Sequence, residues 1–455
     1  RKGAKGKYFN YTNNDYNNLD GHDIQLTIDI DLQRILQEEL YKAVESTNAI
    51  GANGIIVNPH NGEILALASI PEFDPNNYNQ YDIKAFNNAG ISNLYEPGST
   101  FKIIPISMAI ESDSYNPNDS IYCENGVYRL INGKKLHDHE EHGLLTIEDI
   151  LVHSSNIGIS KISDSFTNIS IYKKLKKFGF GSKTYLPLGN EMDGKIRDVK
   201  RWSKTSKHYI SIGQELSITN IQLAMAYSVI ANNGFLVEPH IIKSIKKNDE
   251  TKYSNRKKVI RKVLDIDTSK RVLNMLQKVV EQGTAESINL QNYYIAGKTG
   301  TAQKYKEGNY SAYIATFASI FPANNPEYVM IVSVDEPTYG MHWANLSAVP
   351  ASREIIKRML INNKAFHKKT TKNIVESEPI AIKDMETILS RSSKIETTKL
   401  FPSFKGKTLK ESLKIANASG IILKPEGISG TVKKQSIYPG TRITPNMICV
   451  VTMGI

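Results

Sequence analysis

Ser99 and Lys102 stand three residues apart in Glu96-Pro97-Gly98-Ser99-Thr100-Phe101-Lys102, just before the apolar run Ile103, Ile104, Ile106, Met108, Ala109 and Ile110. The Pro-Gly pair ends a loop and the apolar run reads as a helix. The spacing therefore predicts Ser99 at or near a helix N-terminus with Lys102 on the same face. A lysine withdrawn from water loses charge, because desolvation disfavours the ammonium, and a neutral amine can take the proton of a serine hydroxyl. Free backbone N–H groups at the helix start can stabilise a developing oxyanion. Pro105 is expected to bend this helix by removing one hydrogen bond. The same spacing recurs at Ser244/Lys247 and Ser254/Lys257, in charged stretches without an apolar face. A lone match is an ordinary solvated helix surface; the setting of Ser99 distinguishes it.

Two further patterns carry chemistry. Ser154-Ser155-Asn156 follows the apolar Ile150-Leu151-Val152. A second hydroxyl can relay a proton, and an amide can both donate to and accept from a peptide backbone. Ser114/Asn116 and Ser287/Asn289 repeat this spacing, so taken alone it reads equally as a cap or turn. Lys298-Thr299-Gly300-Thr301 follows Tyr293-Tyr294-Ile295-Ala296-Gly297 and reads as a strand. Alternate residues share a face, so Thr299 and Thr301 can point together, while Gly300 lets another chain approach the edge closely. A lysine with two hydroxyls at an open edge makes a carboxylate site. A phosphate loop is excluded, because the glycine it requires five residues before Gly297 is Asn292.

The elements that must position these groups are visible on both sides of them. Asp29 or Asp31 can cap a helix carrying Leu32, Ile35, Leu36, Leu40, Ala43 and Val44. Ile55-Ile56-Val57 and Ile64-Leu65-Ala66-Leu67 read as strands around a turn at Asn58–Gly62. Residues 98–280 are mostly helical in pattern, with one clear helix after Ser217 or Thr219 that stops at Asn233-Gly234. Strands return at Tyr293–Gln303, Tyr313–Phe321 and Tyr328–Val334, before a helix around Ser352–Leu360. Strands at both ends with helices between predict an α+β fold with one antiparallel sheet built from chain-distant segments.

The 455 residues exceed one ordinary core, and 40% hydrophobic with 23% charged residues is a globular composition. No run of about 18 apolar residues occurs. Cys123 and Cys449 make no disulfide framework and no Cys-x-x-Cys pair exists. The chain starts at Arg1 with no signal peptide, which reads as a fragment of a longer protein. Residues 1–22 are polar and read as the end of an upstream element, and residues 363–396 as a linker rich in Lys, Thr, Ser and Glu. A last module, 397–455, opens with a capping box at Thr408–Glu411 and continues into strands at Ile421–Leu423 and Met447–Met453, with a turn at Pro439-Gly440. Of the net charge of +11, this module holds +7, from nine basic and two acidic side chains. Such a tail can meet an anionic surface or simply keep itself soluble. No basic run interleaved with aromatics is present, so nucleic acid is not an expected partner.

The order and setting of the three patterns match the S-x-x-K, S-x-N and K-T-G set of the active-site serine penicilloyl transferases. Leu26–Asp29, Asn61–Ala66, Tyr95–Ser99, Gln222–Tyr227 and Ala296–Gln303 extend the likeness, so that residues 22–362 resemble a class B penicillin-binding protein of the FtsI type. The tail, with Gly430–Gln435 and Pro439-Gly440, resembles a PASTA module. One departure is Ser155, where class A β-lactamases typically carry aspartate. The resemblance implies the penicilloyl-serine transferase fold, a central antiparallel sheet flanked by helices, over 23–362. It implies a remnant of a pedestal domain over 1–22 and a PASTA-like βα domain over 397–455.

It further implies a peptidoglycan D,D-transpeptidase acting in septal wall synthesis. Ser99 would attack the penultimate D-alanine carbonyl of a stem peptide, with Lys102 as base. Ser154 would pass a proton toward the leaving D-alanine, with Lys298 nearby for electrostatics. Asn156 would hold the donor amide, and Thr299 and Thr301, flanking Gly300, the terminal carboxylate. The N–H groups of Ser99 and Thr301 would form the oxyanion hole. β-Lactams would acylate Ser99. No cofactor is implied. Expected partners are D-Ala-D-Ala stem peptides, a glycan-polymerising synthase, division proteins, and the cytoplasmic membrane through an anchor missing from this chain, on its extracytoplasmic, periplasmic face. The tail favours division over sporulation or elongation. Two rivals remain open: a β-lactamase or D,D-carboxypeptidase in which water resolves the acyl-enzyme, and a non-catalytic wall-binding scaffold. His137-Asp138-His139-Glu140-Glu141-His142 could ligate zinc but lacks the H-E-x-x-H spacing, so a solvated polar loop is the expected reading and no metal is assigned.

Overall fold

Asp29 opens the first helix, α1 (Ile30–Thr47), by accepting hydrogen bonds from the backbone of Asp31 and Leu32, and Asn48 closes it in the left-handed conformation. In this computed structural model residues 21–362 are described apart from 248, 291–292 and 307–308. So are residues 401–454 apart from 428–429, 438 and 440–446. The expected upstream remnant, but for residues 21–22, and the linker over 363–396 lie outside the described residues. Two units are distinguished, Arg1–Asn373 and Ile374–Ile455.

In the first unit α1 is followed by β1 (Gly51–Val57) and β2 (Ile64–Ile70). The helical middle contributes α2 (Ile103–Glu111), α3 (Ile147–Val152), α4 (Asn156–Asp164), α5 (Asn220–Ala231) and α6 (Ile266–Gln282). The chain then returns to the sheet as β3 (Ala296–Lys306), β4 (Asn309–Phe321) and β5 (Tyr328–Asp335), and ends in α7 (Ala348–Asn362). The sheet order is β3-β4-β5-β1-β2, antiparallel at every step. It is the sheet of chain-distant segments that the pattern predicts. β1 begins four residues before its Ile-Ile-Val run, because Gly51–Gly54 are also buried between β2 and β5.

Helices cover both faces. Along β1 the side chain of Asn53 points to α5, where it meets Asn220, whereas Gly54 faces α1. A Cβ at Gly54 would stand 2.7 Å from Leu36 Cδ1, so glycine there lets α1 lie close on the sheet. Every residue of α5 is buried, which explains its apolar character all round. Thr219 and Gln222 form a capping box at its start, and Asn233 and Gly234, both at positive φ, follow its end. The amphipathic α6 buries Val272, Met275, Leu276, Val279 and Val280 against the site-bearing strand β3 and α2.

The second unit has its own core of Phe401, Phe404, Ala416, Ile421, Val432, Cys449 and Val451. Thr408 and Glu411 cap α8 (Leu409–Ser419) as the sequence predicts. Three strands follow, β6 (Ile422–Glu426), β7 (Thr431–Gln435) and β8 (Ile448–Gly454), in the order β6-β8-β7. β7 has no counterpart in the sequence reading: Lys433, Lys434 and Gln435 mask its alternation, and only Val432 is buried in the core.

Candidate active site

Gly98–Lys102 form a 3₁₀ turn leading directly into α2. Residues three apart eclipse in such a turn, so Ser99 and Lys102 share a side, as the spacing predicts. Pro105 sits near the start of the α segment. The α segment begins at Ile103, which puts the proline in its first turn, where a missing N–H costs no bond. The turn is fixed from several directions: Gly98 N–H donates to Gly213 O (3.1 Å), Thr100 Oγ1 to Pro97 O (2.8 Å) and the buried Tyr227 hydroxyl to Thr100 O (2.8 Å). Ser99 is half-buried and its hydroxyl makes no hydrogen bond among the described residues.

Lys102 is completely buried, and its bonds run to the second pattern rather than to Ser99. Its ammonium donates to Ser154 O (2.5 Å), Ser154 Oγ (3.1 Å) and Asn156 Oδ1 (2.8 Å). Ser154 sits between α3 and α4 at φ +60°, a conformation unusual for a residue with a Cβ. That kink turns both of its oxygens toward Lys102. Asn156 Nδ2 donates to His137 O (2.9 Å), leaving its second N–H for a peptide carbonyl. Ser155 points the other way: it caps α4 and donates to Asp138 Oδ2 (2.5 Å). The other oxygen of Asp138 accepts the backbone N–H of Asn156 and Ile157. A carboxylate thus does stand beside the second motif, supplied from the histidine-rich loop instead of from position 155.

The third pattern lies on β3, an edge strand. Lys298 is completely buried and Thr299 nearly so. A Cβ at Gly300 would stand 2.8 Å from Pro97 O and 2.9 Å from Thr100 Cγ2. The chain that approaches Gly300 closely is therefore the protein's own nucleophile turn. Lys298 Nζ donates to Thr299 O (3.3 Å) and Thr284 Oγ1 (3.4 Å), and Thr299 Oγ1 donates to Thr284 Oγ1 (2.8 Å). Thr301 Oγ1 accepts the N–H of Ala344 (3.1 Å), which leaves its own proton to give.

Burial lowers Lys102 from the usual lysine range to about 7, with the negative charge of Asp138 pulling it back up. Lys298 is driven well below that range, first by burial and then by the charge of Lys102. Burial raises Glu96, whose carboxylate accepts Glu215 N–H at 2.9 Å. The three patterns, separated by up to about 200 residues of sequence, form one cluster: a half-buried serine, a lysine partly neutral near pH 7, a bridging hydroxyl and amide, and an edge strand bearing hydroxyls.

Residues 53–357 match the family model of the penicillin binding protein transpeptidase domain. The chain belongs to the penicillin-binding protein transpeptidase family. It is 34% identical over 365 residues to the peptidoglycan D,D-transpeptidase FtsI homolog of Mesostigma viride, covering 74% of this chain and 61% of the relative. It is 33% identical over 367 residues to stage V sporulation protein D of Bacillus subtilis, covering 78% and 56%. The chain thus spans less than two thirds of the length of these relatives. Among solved structures, penicillin-binding protein 3 of Mycobacterium tuberculosis complexed with aztreonam superposes with a TM-score of 0.71 at 29% identity, over 77% of this chain and 81% of that one. The transpeptidase domain of Burkholderia pseudomallei penicillin-binding protein 3 gives 0.65 at 29%, over 74% and 96%. The α+β penicilloyl-serine transferase fold expected from the sequence is the fold of this family.

Within this transpeptidase-family domain, some site residues escape sequence reasoning. The loop 137–142 is mostly exposed, as the sequence reading expects, and it also braces the second motif, since Asp138 and His137 O hold the start of α4. Among the described residues no three His, Cys, Asp or Glu side chains converge as a metal-ligand set. His139 packs on Trp343 (ring centroids 4.8 Å), and Trp343 on His342, which also stacks on Tyr313 and Tyr339. An aromatic wall thus runs from the second motif to the strands beside the third. Thr284, in the turn after α6, joins the site through a single threonine with no local signal.

Proposed function

We propose that this chain is a peptidoglycan D,D-transpeptidase that cross-links stem peptides through a serine acyl-enzyme in septal wall synthesis. The observation that carries the reading is the environment of Lys102: buried, lowered to about 7 and bonded to Ser154 and Asn156, on the same side of its turn as Ser99. In the first half-reaction the Ser99 proton passes to neutral Lys102 as Oγ bonds to the carbonyl carbon of the penultimate D-alanine. The peptide C–N bond then breaks, and Lys102 returns the proton through the Ser154 hydroxyl to the departing D-alanine amine. In the second, the amine of a neighbouring stem peptide attacks the ester carbonyl, gives its proton to the same base, and Ser99 Oγ leaves with a proton restored. Asn156 orients the donor amide, and Lys298, Thr299 and Thr301 receive the terminal carboxylate. The N–H groups of Ser99 and Thr301 face the oxyanion. A β-lactam enters as a mimic of the D-Ala-D-Ala end and stops at the acyl-enzyme.

The wider assignment rests on the resemblance carried by the sequence. The catalytic domain is 23–362, with residues 1–22 the end of a pedestal and 363–396 a linker to a PASTA-like module, 397–455. The domain works on the extracytoplasmic face of the cytoplasmic membrane, held by an N-terminal anchor outside this chain. A glycan-polymerising synthase and division proteins are its partners. No helix among the described residues is long and apolar enough to cross a membrane.

The test is intact mass after incubation with benzylpenicillin, with Ser99→Ala as control. One stable adduct of the whole antibiotic, absent from the variant, is expected. Rapid loss of the adduct would make the protein a hydrolase, and no adduct would leave the wall-binding scaffold as the better reading.

A further inference from the structure

Thr284 lies outside the three motifs but touches two members of the third. Its N–H donates to Val152 O (3.4 Å), so the turn that carries it is tied to the end of α3, just before Ser154. Its Oγ1 accepts from Lys298 Nζ and from Thr299 Oγ1. A hydroxyl accepts two hydrogen bonds and donates one, so Thr284 is filled as an acceptor while its own proton remains unspent. Thr299 is in the reverse state: having given its proton to Thr284, it has none for a carboxylate. A hydroxyl pair can reverse its bond by rotating two C–O bonds, which requires no movement of the backbone. Reversal lets Thr284 donate to Thr299 and frees the Thr299 proton.

We propose that Thr284 is a positioning residue for anion recognition, completing a donor chain Lys298–Thr284–Thr299 that reverses its last bond when a substrate carboxylate arrives. Lys298 then acts on the carboxylate through two polarised hydroxyls, whose bonds strengthen one another in a partly buried site. Thr301, whose proton is free because its oxygen accepts from Ala344, gives the second bond. The inference rests on the acyl-transfer reading above, since it concerns the carboxylate of that substrate.

The experiment compares acylation rates with benzylpenicillin and with its methyl ester, which keeps the ring but lacks the anion. In Thr284→Val the rate with the acid falls about tenfold or more, the size of a lost bond to a charged partner, while the rate with the ester changes less than about twofold. Thr284→Ser keeps the parent's acid-to-ester ratio. Thr299→Val lowers the ratio similarly, and adding Thr284→Val to it lowers the ratio no further, as members of one chain require. If Thr284→Val does not fold, Thr284→Ala replaces it in both comparisons. Equal losses for acid and ester would reduce Thr284 to a packing role and overturn the inference. An unchanged ratio would overturn it while leaving Ser99 acylation intact. No adduct on the parent with either compound would instead overturn the acyl-transfer reading, and this inference with it.

Discussion

Lys102 and Lys298 carry the same side chain to the same depth, both completely buried, yet their surroundings differ. Lys102 comes from a turn packed against two helix ends and has three acceptors between 2.5 and 3.1 Å, with the Asp138 carboxylate nearby. Lys298 comes from an edge strand and, among the described residues, has two acceptors, at 3.3 and 3.4 Å. Burial, and after it the charge of Lys102, drives Lys298 well below the usual lysine range, whereas the Asp138 carboxylate pulls Lys102 back up. The helical side therefore holds a base that is poised near neutrality. The strand side holds a lysine whose ammonium form burial and the charge of Lys102 disfavour. The difference follows from the elements: helix ends offer free carbonyls and amides, whereas an edge strand has spent half its backbone on its neighbour.

The largest effect expected from this contrast is on rate. Lys102→Ala should lower β-lactam acylation by about 10³-fold, within the range of a lost general base. Lys298→Ala should lose less, about 10²-fold, with the loss concentrated in carboxylate-bearing ligands. Acylation kinetics on both variants would break the comparison if the order reversed.

pH dependence sharpens it. The parent rate should rise with pH around a midpoint near 7, as Lys102 gives up its proton. Asp138→Asn removes the charge that raises Lys102, so the midpoint should move lower; a profile that moved higher would contradict the assignment.

Stability gives a smaller signal with the opposite ranking. Both lysines are protonated in the unfolded chain up to about pH 10. The unfolded state therefore binds more protons between about pH 7 and 10, and stability should rise with pH across that window. Lys298→Met removes a poorly solvated amine and should raise stability by about 1 kcal/mol, flattening part of this rise. Lys102→Met strands three acceptors and should not. Urea unfolding at pH 7 and 9 measures both.

The smallest effect expected is for Tyr227→Phe. It removes the donor to Thr100 O behind the nucleophile turn and should cost about 1 kcal/mol of stability, read by urea midpoint, with no change in the pH midpoint.

Much of this was legible in the residues. Asp29, Thr219 and Thr408 were readable as helix caps because a cap is a local bond between a side chain and the next turn. The sheet strands were legible from runs such as Ile55-Ile56-Val57 and Tyr328–Val334. The three motifs were readable because their types and order are those of a known family. The switch from 3₁₀ to α at Ile103, which puts Pro105 in the first α turn, was not legible because it depends on what presses on the turn. The bracing role of the histidine-rich loop was not legible, because it joins Asp138 to Asn156 through space.

The amino-acid sequence by itself determined the elements, their order and the identity of the chemical groups, since caps, periodicity and motifs are written in neighbouring residues. Only the tertiary structure decided the state of those groups. It brought Lys102 to Ser154 and Asn156, put Thr284 beneath Thr299, and set Asp138 at the head of α4. Those contacts join residues from 14 to 54 positions apart. The charge of a buried lysine is fixed by how many dipoles surround it and by which charges stand beside it, and neither exists until the chain has folded.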